Sequence, residues 1–231
     1  MISNKIIETI THHGHYSVTG PTTLPLHCSD NFNALFTHYG FKFPNGRYSV
    51  LHYGNVQASN NVLVRISSNC QWSFYFGSML CDCQWQLEEA KQRIKNEGNG
   101  MIIFAHDQHG KGIPIEDHWK VYAEGQRRNV ELVVDAYKQI GFKEDYRNYD
   151  DIIDILQHYG ITSIRLLSNN PKRKKHFEEK GIKVCIENLE QPIHSHLKSE
   201  YASKKHKLNH FLKISDEELG FTQLNDKHNN Q

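Results

Sequence analysis

The chain has 231 residues, 38% of them hydrophobic, and a formal charge of +1 from 27 basic and 26 acidic side chains. That is long enough for a full core and too balanced for a polyelectrolyte partner, so no nucleic-acid role is expected. Five cysteines, no secretory pattern after Met1 and no apolar run of membrane-spanning length suggest a reducing, cytoplasmic setting without a membrane partner, in which clustered thiols bind metal rather than pair.

Residues 1–40 are polar and interrupted by Gly20-Pro21, which predicts an irregular N-terminal arm. Arg47 to Gly54 alternates and predicts a strand. After the Asn60-Asn61 turn, Val62 to Ser67 predicts a more buried one, and Ser73 to Phe76 a further short strand. Beyond Asp82, Leu87, Ala90 and Ile94 share one helical face, and Gly98 and Gly100 end that helix. Met101 to Ala105 is a continuous apolar run suited to a central strand. Trp119 to Ile140 predicts a helix that Gly125 could break, and Asp150 opens a short helix ending at Gly160. Ile164 to Leu167 predicts a strand, Asn170-Pro171 a helix start, and Ile182 to Ile186 a last strand. Alternating strands and helices over residues 41–191 indicate an α/β domain. Residues 192–231 turn polar and His/Lys-rich, which predicts a peripheral helical tail with a disordered end.

Three of the cysteines form a Cys-x10-Cys-x-Cys segment, Cys70, Cys81 and Cys83. Three thiolates suit a zinc ion with one position left open for water; the alternatives are a closed site completed by one of the 16 histidines, or plain buried thiols. Two further loops follow predicted strands, where α/β sheets bind ligands. Gly110-Lys111-Gly112 offers backbone N–H groups and an ammonium, although it lacks P-loop spacing. Ser168 to Arg173 places N–H groups and basic residues at a helix start, which favours anions. Either loop could equally be an ordinary turn or cap. The chain has no Gly-x-Ser-x-Gly, His-Glu-x-x-His or paired-carboxylate pattern.

In this order the stretches resemble the GTP cyclohydrolase II family, zinc enzymes that open the guanine ring at the start of riboflavin synthesis. The resemblance covers about residues 45–190. It rests on Val62 to Ile66, Phe76-Gly77-Ser78, Cys81-Asp82-Cys83-Gln84-Trp85-Gln86-Leu87, Gly110 to Ile113, Tyr122-Ala123, Gly141 to Arg147 and Arg165 to Lys172. It implies a mixed sheet flanked by helices, zinc on Cys70, Cys81 and Cys83, magnesium on a substrate triphosphate, and a homodimer. The zinc-bound water would attack C8 of a purine, and a second hydration would release that carbon as formate. By the same resemblance Tyr122 assists at the ring, Arg147 attacks the α-phosphorus and expels pyrophosphate, and Asp145 accepts the proton from Arg147. Charge stabilisation is the conservative role for Arg147, given its high pKa. Arg65, Gln86, Gly110, Lys111, Ser168 and Arg173 match positions that hold the nucleotide.

The chain departs from the family where the base is read. Asn69 stands for an acidic residue before the first zinc cysteine, His109 for a Glu, and Lys111 for an arginine. A Thr-Val-Glu-Ala-Asn stretch appears as Val133-Val134-Asp135-Ala136-Tyr137. Guanine presents N1–H and an exocyclic amine, both donors that carboxylates pair well, so these changes predict rebuilt base selection. The sequence thus leads to hydrolytic opening of a purine nucleotide, GTP by default. Its rivals are the same chemistry on another nitrogen heterocycle, from pyrimidine breakdown or specialised metabolism, and a silent nucleotide-binding homologue.

Overall fold

The computed structural model describes residues 10–28, 33–143 and 145–220. A mixed eight-stranded sheet runs through it in the order β1-β2-β3-β4-β6-β5-β7-β8. Strands β1 (Ile10–His13), β2 (Tyr16–His27), β3 (Asn33–Lys42) and β4 (Arg47–Tyr53) form an antiparallel meander. One edge of β6 (Gly100–His109) pairs antiparallel with β4 and the other parallel with β5 (Val62–Asn69). Strands β7 (Ser163–Leu167) and β8 (Lys183–Glu187) continue the parallel half.

The central strands are buried on both faces, and their period of two sorts the core. Val64, Ile66, Ile103 and Leu166 pack with Ile152, Ile155 and Leu156 of α5 (Asp150–His158) and Phe177 of α6 (Pro171–Glu179). Leu63, Ile102 and Leu167 face the other way, onto Ala90 and Ile94 of α2 (Cys83–Glu97). Each fully buried aliphatic contributes roughly 1.5–3 kcal/mol relative to exposure. Helix α2 joins β5 to β6 on one face, whereas α5 lies between β6 and β7 on the other. The chain therefore leaves the ends of neighbouring parallel strands in opposite directions, which opens a crevice there.

Four sequence expectations are corrected. Residues 10–27 and 33–40 are strand, not irregular arm; residues 1–9 lie outside the described residues. Ala34 and Phe36 bury on one face and Val18 and Phe41 on the other while most of their neighbours stay wet, and the polarity of a half-exposed antiparallel sheet imitates a loop. The strand β2 continues through Gly20-Pro21, its register shifting between Thr19 and Thr22. Ser73 to Phe76 is helical, within α1 (Gln71–Phe76), which Gly77 closes at φ +65° by donating to the Ser73 carbonyl.

The expected long helix is two, α3 (Ile115–Arg127) and α4 (Val133–Gln139), divided where Asn129 takes φ +52°. Gly125 does not break α3: it lets α4 approach, because a Cβ there would lie 3.0 Å from Ala136 Cβ. The C-terminal segment is helical but not peripheral. A 3-10 turn (Ser195–Leu197), α7 (Lys198–Ala202), a π turn (Ser203–Lys207) and α8 (Asp216–Leu219) follow one another. Leu197, Tyr201, Ala202, Leu208 and Ile214 gather with Leu132 and Val134 into a core of their own. The expected disordered end, Asn229-Asn230-Gln231, lies with the rest of residues 221–231 outside the described residues. No helix among the described residues is long and apolar enough to cross a membrane.

Candidate active site

Cys70 follows β5 directly, α1 turns the chain back, and Cys81 and Cys83 arrive at the start of α2. The three sulfurs lie within 4.8 Å of one another, with Cys70 and Cys81 3.6 Å apart. A tetrahedron with 2.3 Å zinc–sulfur bonds has edges of about 3.8 Å, so the trio fits that ion. Among the described residues no His, Asp or Glu atom joins the group. Hydrogen bonds from Cys70 and Cys83 hold the Cys81 thiol well below its usual range. The bond with Cys81 pushes Cys70 up to about 12, and bonds with Cys70 and then Cys81 raise Cys83. A divalent cation would hold all three as thiolates.

The sulfurs open into a cavity crowded with cations. Five of its lining side chains are Arg or Lys, namely Arg65, Lys111, Arg147, Arg173 and Lys204, against the carboxylates of Asp82 and Glu200. Asp82, 1% exposed, is the N-cap of α2, but its side chain makes no capping bond. Its carboxylate accepts from Gln86 Nε2 at 2.8 Å and from Lys204 Nζ at 2.6 Å. Gln86 Oε1 in turn accepts from Arg65 Nη2 at 2.5 Å. Burial and the neighbouring Arg173 lower Arg65 to about 10, and its Nε has no partner. Such crowding favours an anion.

Asp145 grips Arg147 through both oxygens, one of them accepting from Nε at 2.8 Å. Burial opposes the Arg147 charge, but Tyr149 and Asp145 more than offset it, so the guanidinium holds its proton firmly. That suits charge stabilisation rather than nucleophilic attack. Arg173 lies over the Tyr149 ring, donates to Tyr149 Oη at 2.9 Å and reaches the Ile66 carbonyl at 3.0 Å. Burial, with Lys204 and Arg147 close by, lowers His210 to about 2, so its imidazole is neutral.

Loops from distant parts of the chain are tied together at this point. Gly110 N–H donates to the Asn69 carbonyl and Tyr146 N–H to that of Lys111, while Phe211 N–H donates to that of Asn169. Gly110, at φ +50°, has no room for a side chain: a Cβ would lie 2.5 Å from His118 Nδ1. That nitrogen is 3.1 Å from Tyr137 Oη, and the His118 ring packs with Trp72 and Tyr122. Burial, then the Glu200 charge, raises Tyr122 well above the usual phenol range, which keeps it a donor.

The structure brings together most of the residues the sequence singled out. Arg65, Asn69, Gln86, Gly110, Lys111, Tyr122, Arg147, Ser168 and Arg173 line the cavity with the cysteines, and Asp145 backs Arg147. His109 instead lines a neighbouring depression with His106 and Asp107. Asp135 lies outside the lining, its carboxylate 3.9 Å from Lys207 Nζ. Sequence reasoning missed Asp82, His118, Tyr137, Glu200, Lys204 and His210. Their spacing carries no signal, since three of them arrive on the C-terminal segment.

Comparison with known proteins agrees with this geometry. The model of the family described as GTP cyclohydrolase II matches residues 22–189. The chain belongs to the GTP cyclohydrolase II family. A GTP cyclohydrolase-2 of Archaeoglobus fulgidus is 34% identical over 218 residues, 93% of this chain and 52% of that protein. One from Shewanella baltica is 37% identical over 152 residues, 65% of this chain and 73% of its own length. A protein of Parabacteroides distasonis named Riboflavin biosynthesis protein RibBA is 35% identical over 161 residues, 69% of this chain and 39% of that one. The chain thus spans about half or less of the length of two of these GTP cyclohydrolase II relatives. The family match begins inside β2 and ends just after β8, so it takes in the cysteines but not Glu200, Lys204 or His210.

Proposed function

We propose that this cavity hydrolyses a purine nucleoside triphosphate, GTP by default, opening the imidazole ring and releasing C8 as formate and the outer phosphates as pyrophosphate. Two waters are consumed at C8 and one at the α-phosphorus, which leaves a diaminopyrimidine nucleotide; stopping after the first water would leave a formamidopyrimidine. The observation that carries this reading is the meeting of three clustered sulfurs with crowded buried cations in one cavity. A zinc ion held by Cys70, Cys81 and Cys83 would supply Lewis acidity and an acidic water. Arg147 and Arg173 offer positive charge to the phosphates, while Asp145 holds the Arg147 fork in place. Tyr122, kept protonated, donates to a ring nitrogen as it becomes an amine. Magnesium accompanies the triphosphate rather than a protein site.

The second reading, the same hydrolysis on another nitrogen heterocycle, is favoured by Asn69, His109 and Asp135, none of which brings a carboxylate into the cavity. Mass spectrometry of products after incubating zinc-loaded protein with GTP, ATP and free heterocycles separates the two. Formate and a diaminopyrimidine from GTP support the first reading; turnover of a free heterocycle with none of GTP overturns it. By the same reading the protein works in the cytoplasm, in riboflavin synthesis, and as a homodimer. Exposed Tyr75, Phe76, Met79 and Trp119 around α1 and α3 offer apolar surface for a second copy, which sedimentation velocity would detect.

A further inference from the structure

Besides Arg65, two charged side chains in the cavity are buried and yet keep an atom without a hydrogen bond. Glu200 on α7 is 8% exposed; Lys204 Nζ stands 3.5 Å from its Oε1, while its Oε2 has no hydrogen bond. Lys111 is 9% exposed and its Nζ has no hydrogen bond, lying 4.8 Å from the centre of the Tyr137 ring. No ion pair joins Lys111 to Glu200 among the described residues, although both line the same cavity. Leaving a buried donor and a buried acceptor unmatched is unfavourable, and a ligand presenting the complementary pair would relieve both. Glu200 is firmly placed: Ser199 Oγ donates to the Glu131 carbonyl at 2.5 Å, and Tyr201 Oη accepts from Gln191 N–H at 2.8 Å.

We propose that Glu200 is the specificity-determining residue for the base, its free Oε2 accepting from the adjacent N–H donors of a guanine edge while Lys111 Nζ donates to the carbonyl beside them. This inference rests on the purine nucleotide reading and deepens it. Guanine sets O6, N1–H and the 2-amino group side by side, one acceptor followed by two donors, and few other natural bases do. Asn69 faces the cavity as an amide whose Nδ2 is already committed to the His106 carbonyl at 3.2 Å, and His109 faces elsewhere. The carboxylate missing from those positions is supplied instead by the C-terminal segment, from outside the stretch that the family model matches.

The pairing with Lys204 makes the consequence of a substitution specific. In E200Q the amide oxygen turns to the Lys204 ammonium, so the NH2 group stands where Oε2 stood and offers a donor to the base. The test is kcat/KM for GTP, inosine triphosphate and xanthosine triphosphate with the zinc-loaded full chain as wild type, E200Q and E200D. Wild type should prefer GTP over inosine triphosphate, which lacks the 2-amino group, by about 10- to 100-fold. E200Q should lower the GTP-to-xanthosine ratio by about 100-fold or more, because xanthine carries a carbonyl where guanine carries the amine.

E200D keeps the charge but withdraws the oxygen by one methylene, and should lower the GTP-to-inosine ratio about tenfold. It serves should E200Q fail to fold. A purely structural role would lower all three substrates in proportion and leave both ratios unchanged, and that result overturns the inference. Equal use of GTP and inosine triphosphate by wild type overturns it as well. A wild type that neither binds nor turns over any of the three instead overturns the purine reading itself, visible before any variant is compared.

Discussion

Two stretches converge on Asp82, and they build their half of the cavity in opposite ways. Cys70 to Cys83 is local: fourteen residues turn once through α1 and bring three soft ligands together. Residues 197–210 are remote, carrying Glu200, Lys204 and His210 to the same place on a segment with its own apolar cluster. The first half gathers thiols that an added ion would hold as thiolates, whereas the second sets its charges against neighbouring side chains. Removing the metal should therefore silence the protein, and removing the remote charges should loosen it.

The largest expected effect tests the local half. Replacing Cys81 by Ser should abolish bound zinc and lower turnover beyond roughly 10^3-fold, as metal analysis and formate release would record. Unchanged turnover in metal-free protein would break the contrast outright. Next comes Arg147→Met, which should lower pyrophosphate release about 10^2–10^3-fold while formate release falls less, because the guanidinium serves the phosphate end. The remote half is tested by Lys204→Met. It strands the buried Asp82 carboxylate and should cost about 3–5 kcal/mol in urea unfolding.

A smaller effect is set by pH. Burial lowers His118 to about 4 and His210 to about 2, so both stay neutral in the folded chain while an unfolded histidine takes a proton near pH 6.5. Both folded values are depressed, so the stability these residues contribute is full above about pH 6.5 and falls with pH below it. The expected loss is about 1.4 kcal/mol per pH unit for each. It would continue to about pH 4 for His118 and lower for His210, and His210→Phe should take about 1.4 kcal/mol per pH unit off the slope measured by urea unfolding between pH 6 and 4. The smallest effect belongs to neither half: Lys175→Ala, at an exposed pair with Glu179, should leave the melting temperature unchanged.

The local half was also the legible one. Sulfur spacing, the apolar run ahead of Asp107 and the Asn170-Pro171 helix start are short-range patterns. The structure keeps each of them, with the Asn170 side chain accepting from Lys172 N–H. The meander reads as an arm in the sequence because a half-exposed strand such as β2 is as polar as a loop. The C-terminal segment was misread because Leu197, Tyr201, Leu208 and Ile214 are scattered in sequence and meet only in space. In the sequence Asp82 reads only as the opening of α2, since nothing nearby announces that its partner is Lys204, 122 positions away.

The bond from Phe211 N–H to the Asn169 carbonyl has a practical corollary for anyone shuffling pieces between homologues. A graft that stops where β8 ends would import the sulfur trio while leaving behind the wall that faces it. Swapped modules should carry both sides of that seam from a single parent, or the recipient inherits a hearth without its chimney.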